Sequence, residues 1–441
     1  LVISVAIIRP GPIQGGMVHP FLRRRDGLEP VRYPYAPLAP VLEKTLGVPL
    51  FQEQAMRLAV IAAGFTPGEA DELRRVMTHK RSHERMEAMK ARLVSGMAER
   101  RIPRHEAEEI YRQLLGFAGY GFPESHAASF ALLVYASAWL KRYHPGPFAC
   151  ALLDSQPMGF YAPHTLVEDA KRHGVTVRPV DVTRSAWEST LEGPEPGAPA
   201  RPGETPAVRV GLAAIRGLPR DLGEAVVAAR GERPFESIAD LSRRAGISSA
   251  WLQRLAAAGA LRGLEVQRRR ALWAALATPP ITTDGDLFAG VVTDEPPAPL
   301  PDPTAAEEVA ADYATTGLSA RAHPMALLRP SLATRSVRTA RELARMRDRD
   351  PVEVAGLVIV RQRPATASGI VFVSLEDETG IANLVLTPDV YERFRAIVRG
   401  APFLVAQGRV ERSGSVVNVR VRSVRPVRNA HGLEARARDF H

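Results

Sequence analysis

The sequence predicts a multidomain protein, mainly α over its first 185 residues, helical again in short pieces through the middle, and all-β at its C-terminal end. Three observations carry this. The chain has 441 residues, roughly two to three times the usual domain length. Its apolar period is close to 3.6 before residue 185 and becomes two after Pro351. Stretches rich in Pro and Gly at 192–204, or in Pro and Asp at 278–303, separate the patterned segments. A hydrophobic content of 45% with 24% charged residues suffices for packed cores and excludes wholesale disorder and collagen. The single cysteine, Cys150, excludes an intrachain disulfide framework, and no Cys/His cluster has zinc spacing, which points to a reduced, cytoplasmic setting.

The N-terminal elements read as amphipathic helices. Ala55, Met56, Ala59 and Val60 recur at helical spacing over 52–63, and Ile110, Tyr111, Leu114 and Leu115 do so over 105–117. Thr66, Pro67 and Glu69 supply an N-cap, a proline at the first helical position and an acid in the first turn, so Arg74 and Arg75 fall on a helix. From Ala127 to Leu140 only Ser129 and Ser137 are polar. That run is shorter than the roughly 20 residues needed to span a bilayer, so a buried helix is expected and no membrane association. No secretory signal is visible, and the start at Leu1, without methionine and inside an apolar run, reads as a cut through a larger protein.

Residues 187–191 and 207–212 alternate like two strands joined by a long loop, and short helices with Gly turns follow over 222–230 and 252–261. After the linker, strands are readable at 352–360, 370–375, 381–386, 403–410 and 416–424, with one helix at 389–398 between the third and fourth. Five strands with a helix in that slot is the order of an OB-fold barrel. In the last strand Asn418, Arg420 and Arg422 share one face and Val417, Val419 and Val421 the other, a pattern that also fits a solvated face over a valine core.

The net charge of +10 makes a polyanion the default partner. Two segments concentrate it: 71–104, with ten Lys/Arg against five acids, and 401–441, with eight Arg against three.

Four motifs are specific. Arg9-Pro10-Gly11-Pro12, Leu50-Phe51-Gln52-Glu53-Gln54, Leu73-Arg74-Arg75-Val76-Met77 and Gly119-Tyr120-Gly121-Phe122-Pro123-Glu124-Ser125-His126 occur in that order. Together they resemble the fingers domain of bacterial C-family DNA polymerases, the family of the polymerase III alpha subunit. The resemblance extends along the chain and implies fingers over 1–185, a hairpin and helix-hairpin-helix duplex-binding region over 186–277, a linker over 278–345, an OB-fold nucleic-acid-binding domain over 346–428 and a tail over 429–441. The Pro-Glu before Ser125, the run from Ser125 to Ala131 and the terminal Arg438-Asp439-Phe440-His441 most resemble the error-prone branch used in damage-induced mutagenesis and translesion synthesis.

Nucleotidyl transfer needs metal-bound carboxylates to activate the primer hydroxyl and cations to neutralise the triphosphate. Arg74, Arg75, Lys80 and Arg81 are the expected phosphate donors, although spacing alone also fits an exposed basic helix. Tyr120 and Phe122 flank Gly121 and are expected to approach the nucleotide, with Ser125 and His126 donating to phosphate or ribose; a core aromatic pair with an N-capping Ser fits the same residues. Arg9, Arg216, Gly217, Asn418, Arg420 and Arg422 are the expected DNA contacts. Pro219 removes one N–H from the first hairpin, which also fits a structural turn there.

The metal-binding aspartates of such polymerases lie in a palm domain, and nothing in this chain matches it. Asp284 with Asp286 and Asp348 with Asp350 read as solvated loop charges. The chain is therefore expected to be the carboxy-terminal part of a DNA-directed DNA polymerase, inactive alone, whose Mg2+ would sit in the missing palm. Its partners would be template-primer DNA, dNTPs and polymerase accessory proteins. Sliding-clamp binding is expected to be weak or indirect, because Asp284 stands where a clamp peptide has glutamine ahead of Leu287-Phe288. A non-catalytic DNA-binding scaffold that keeps these domains is the competing reading.

Overall fold

The computed structural model describes residues 1–8, 18–78, 82–115, 122–159, 161–193, 205–278, 299–332, 336–364, 367, 369–427 and 438–440. The chain divides into two compact units, Leu1–Trp139 and Leu140–His441.

The first unit is helical, with helices Val2–Ile7, Val18–Arg25, Gln52–Ala63, Pro67–Thr78, Ser82–Glu99 and Arg104–Leu115 and the first part of Glu124–Tyr143. Phe51, Leu58, Leu73, Leu93, Met97, Ile110 and Leu114 form its core. Over Gln52–Ala63 the buried face is Ala55, Leu58, Ala59 and Ala62, whereas Val60 is exposed, a rotation from the face read off the sequence. The cause is Gln54. Its side-chain oxygen accepts from the Leu50 and Phe51 amides at 2.9 and 3.1 Å, and its amide nitrogen donates to the Val41 carbonyl and Thr45 Oγ1. With these four bonds made, the buried Gln54 sits in the core without an unpaired polar atom of its own side chain. The Pro67–Thr78 helix starts as expected: the Thr66 hydroxyl accepts from the Glu69 amide and Glu69 accepts from the Thr66 amide.

The Glu124–Tyr143 helix corrects the expectation of burial. Only Ala127 and Ala131 are buried, and Phe130, Leu132, Leu133, Tyr135 and Trp139 are exposed. Composition says that a helix is apolar on every side but not whether a neighbour is present to cover it.

In the second unit, helices Pro145–Asp154 and Pro163–Arg172 precede a three-stranded sheet of β1 (Val177–Arg178), β2 (Thr190–Glu192) and β3 (Ala207–Arg209). The central β3 runs parallel to β1 and antiparallel to β2, and Glu192 ties the sheet by pairing with both Arg178 and Arg209. Helices Arg220–Glu232, Ile238–Ala245, Ser249–Ala257 and Arg268–Ala277 pack around Val226, Leu241, Ile247, Leu252 and Leu255.

Residues 351–426 form a closed barrel of β4 (Pro351–Gln362), β5 (Val371–Asp377), β6 (Gly380–Leu386), β7 (Phe403–Ser413) and β8 (Val416–Pro426), with the helix Pro388–Gly400 between β6 and β7. The order β5-β6-β8-β7-β4 closes through β4 onto β5, and β6 pairs with β8 in parallel. This is the OB topology predicted from strand order. Gly408 makes the closure possible where the β7–β8 register shifts: a Cβ there would lie 2.1 Å from the Arg420 carbonyl oxygen. Helix Pro163–Arg172 reaches the barrel through Arg172, whose two terminal nitrogens both donate to Glu376 Oε1 at 3.0 Å.

Candidate nucleotide and nucleic-acid interfaces

In the first unit two motifs come together. The Gln52 amide donates to the Phe122 carbonyl at 3.0 Å, and Glu53 Oε2 accepts from the Glu124 amide at 3.0 Å. Lys44 pairs with Glu124 from the other side. The Leu50–Gln54 motif thus anchors the chain at the point where Phe122, Ser125 and His126 emerge. The Phe122 and His126 rings meet edge to face at 5.1 Å, and His126 lies 4.6 Å from the Phe130 ring. Ser125 and His126 are exposed in the first turn of a 20-residue helix, whose Glu124 amide is already taken by Glu53.

Arg74 and Arg75 both turn toward Asp71: Arg74 Nε lies 2.9 Å from Oδ1 and an Arg75 terminal nitrogen 3.0 Å from Oδ2. The hydrogen bond from Arg74 holds the Asp71 carboxyl below its ordinary range. One carboxylate between two guanidiniums keeps both side chains side by side. Lys80, Arg81, Tyr120 and Arg9 lie outside the described residues, as do Asp284 and Asp286.

Gly217 has φ +75°, and with Pro219 as N-cap it leads into Arg220–Glu232. Arg216 donates through Nη1 to the Ala314 carbonyl at 3.0 Å, and its own amide to the Thr315 carbonyl. These bonds satisfy carbonyls at the end of the Ala305–Thr316 helix, so Arg216 serves the protein as well as any phosphate. Gly246, at φ +65°, makes a second helix-turn-helix corner between Ile238–Ala245 and Ser249–Ala257.

The barrel brings together the widest set. Strand register places Phe372 opposite Val385, Val385 beside Arg420 and Arg420 opposite Arg409, one row across four strands. The next row is Ser374, Asn383, Asn418 and Glu411. Phe372, Asn383, Arg409, Arg420 and Arg422 are exposed, while the alternate residues of the same strands fill the barrel core. Arg409 directly opposite Arg420 is a repulsive cross-strand pair, relieved on one side by Glu411 at 3.3 Å from Arg420. Arg422 and Arg409 also line a cavity of about 370 Å³ with Arg338, Gln407 and Glu353. The reading of β8 alone found Asn418, Arg420 and Arg422 but missed Phe372, Asn383 and Arg409. Alternation would have put Phe372 on the outer face of β5, yet only register shows it in the arginine row.

Three segments match known families: residues 1–101 the bacterial DNA polymerase III alpha subunit finger domain, 174–271 a helix-hairpin-helix motif, and 352–427 an OB-fold nucleic acid binding domain. Along its whole length the chain is 74% identical to the error-prone DNA polymerase of Anaeromyxobacter dehalogenans, of which it covers 39%. It is 51% identical over 449 aligned residues to that of an Azoarcus species and 48% over 445 to that of Pseudomonas aeruginosa, covering 41% and 42% of them. The chain thus spans about two fifths of the length of these relatives.

Proposed function

We propose that this chain, whose residues 1–101 match the polymerase III alpha subunit finger domain and whose relatives along all its residues are error-prone DNA polymerases, is the nucleotide-delivering and template-holding part of a DNA-directed DNA polymerase that copies damaged template. The observation that carries the template side is the row Phe372, Val385, Arg420 and Arg409. An exposed aromatic stacks a base whatever its sequence, and two opposed guanidiniums gain most from a phosphate placed between them. Asn383 and Asn418, one row along, offer amide donors and acceptors to the sugar or base edges.

On the nucleotide side, Arg74 and Arg75 are held together by Asp71, and a triphosphate would take over the two guanidiniums that now share one carboxylate. Phe122 and His126 form the aromatic surface beside exposed Ser125. The described residues do not fit a catalytic Mg2+: no group of three His, Cys, Asp or Glu is close enough to hold a metal ion. Asp348 and Asp350 accept from the Arg412 and Arg347 amides instead. In this reading the carboxylates that activate the primer hydroxyl belong to the three fifths of the relatives' length that this chain does not cover.

The test is anisotropy of a labelled oligothymidylate as salt is raised. Binding should fall linearly in a log–log plot, and Arg409→Ala with Arg420→Ala should lower the slope by about 0.7 for each phosphate no longer neutralised. Phe372→Ala should weaken binding by about 1 to 3 kcal/mol. Unchanged slope and affinity in both the double variant and Phe372→Ala would remove the barrel face from the DNA path.

A further inference from the structure

The Glu124–Tyr143 helix carries no Asp, Glu, Lys or Arg from Ser125 to Leu140. Within it Leu132 is 74% exposed, Leu133 61%, Tyr135 62% and Trp139 45%, and Phe130, Val134, Leu140 and Tyr143 are exposed as well. At 100° per residue these side chains point all round the helix, the pattern of a helix meant for burial on several sides. Its 20 residues span about 30 Å. Covering eight large apolar side chains of this kind hides on the order of 800 Å², the size of an interface between domains of one chain.

The surface itself narrows the occupant. Beyond the first turn nucleic acid is a poor fit, because the run from 127 to 140 offers no cation to a phosphate. A bilayer is a poor fit too, since no helix among the described residues is long and apolar enough to cross one. A protein surface remains. The relatives that match this chain from end to end are each about two and a half times as long, so three fifths of such a polypeptide lies outside these residues. A domain on the same chain covers the helix without the translational entropy that a separate partner or second copy must overcome. We propose that the Glu124–Tyr143 helix is the packing surface for a domain of the longer polypeptide outside these 441 residues.

The proposal is tested with Leu133→Cys, Tyr135→Cys and Trp139→Cys, each labelled with a maleimide in two settings: the 441-residue chain, and a full-length polymerase in which this chain replaces its counterpart in the Anaeromyxobacter dehalogenans relative. The native Cys150 contributes little background, being buried with its thiol pushed up to about 11. Labelling should be fast in the chain and at least about tenfold slower in the full-length protein, while the exposed Val416→Cys labels equally in both. Equal rates at the helix positions overturn the proposal. So does slow labelling of the 441-residue chain that depends on its concentration, which would make a second copy the occupant. As a measurement free of thiol chemistry, Leu132→Glu with Leu133→Glu should leave the melting midpoint of the 441-residue chain unchanged and lower that of the full-length protein. No change in either overturns the proposal as well.

Discussion

Replacing Glu376 by Gln tests how the barrel is joined to the preceding helices. Glu376 has no solvent exposure, and both terminal nitrogens of Arg172 converge on its Oε1. Its Oε2 accepts no hydrogen bond and lies 4.0 Å from His323 Nε2, and the Met325 amide donates to the other His323 nitrogen. Burial pushes the Glu376 carboxyl up to about 8, against the opposing pull of Arg172, and pushes His323 down to about 3. The signs follow from linkage. A raised carboxyl favours the folded state while protonated, so its stabilisation is complete below about pH 4.5 and is lost as pH rises toward 8. The depressed His323 acts oppositely, its contribution being present above about 6.5 and lost on acidification. Between pH 6.5 and 8 the carboxyl is the larger of the two changes, by up to about 1.4 kcal/mol per pH unit, about 2 kcal/mol in all. Glu376→Gln copies the protonated form and keeps an acceptor for Arg172. Urea unfolding followed by tryptophan fluorescence should therefore show the variant gaining on the native protein by about 2 kcal/mol between pH 6.5 and 8. A difference that stays flat or shrinks as pH rises would mean that Arg172 keeps Glu376 ionised throughout, and would refute the reasoning.

Gly408→Ala should destabilise the barrel by about 1 to 3 kcal/mol, seen as a lower thermal midpoint, because the new methyl meets the β8 backbone rather than a movable side chain. In a complete polymerase, Arg74→Ala and Arg75→Ala should each remove a charge-assisted donor worth about 1.5 to 3 kcal/mol and raise the nucleotide KM more than the DNA Kd; unaltered primer-extension kinetics would return them to an exposed basic helix. Given primer-template, four dNTPs and magnesium, the 441-residue chain should bind without extending. Template-dependent extension that is lost on Asp284→Asn or Asp286→Asn would reveal a metal site in the linker.

Local patterns carry the elements. The Thr66, Pro67 and Glu69 start, the strand alternation after Pro351 and the helix between the third and fourth barrel strands were all legible, because caps and periods depend on residues close in sequence. The ordered motifs carried the resemblance to the polymerase III alpha fingers that residues 1–101 match, and the outer face of β8 was readable two residues at a time. What depended on distant neighbours was not. Gln54 turns its helix by bonding Val41 and Thr45, and Arg216 binds a carbonyl almost a hundred residues away. Phe372 joins the arginine row only through the β5–β6–β8 register, and the Glu376 carboxyl is raised only because the fold buries it, against the pull of Arg172. The run from Ala127 to Leu140 shows the division most plainly. Its composition determines that it is a helix wanting cover on several sides, but burial belongs to a pair of surfaces, and the tertiary structure alone shows this one exposed.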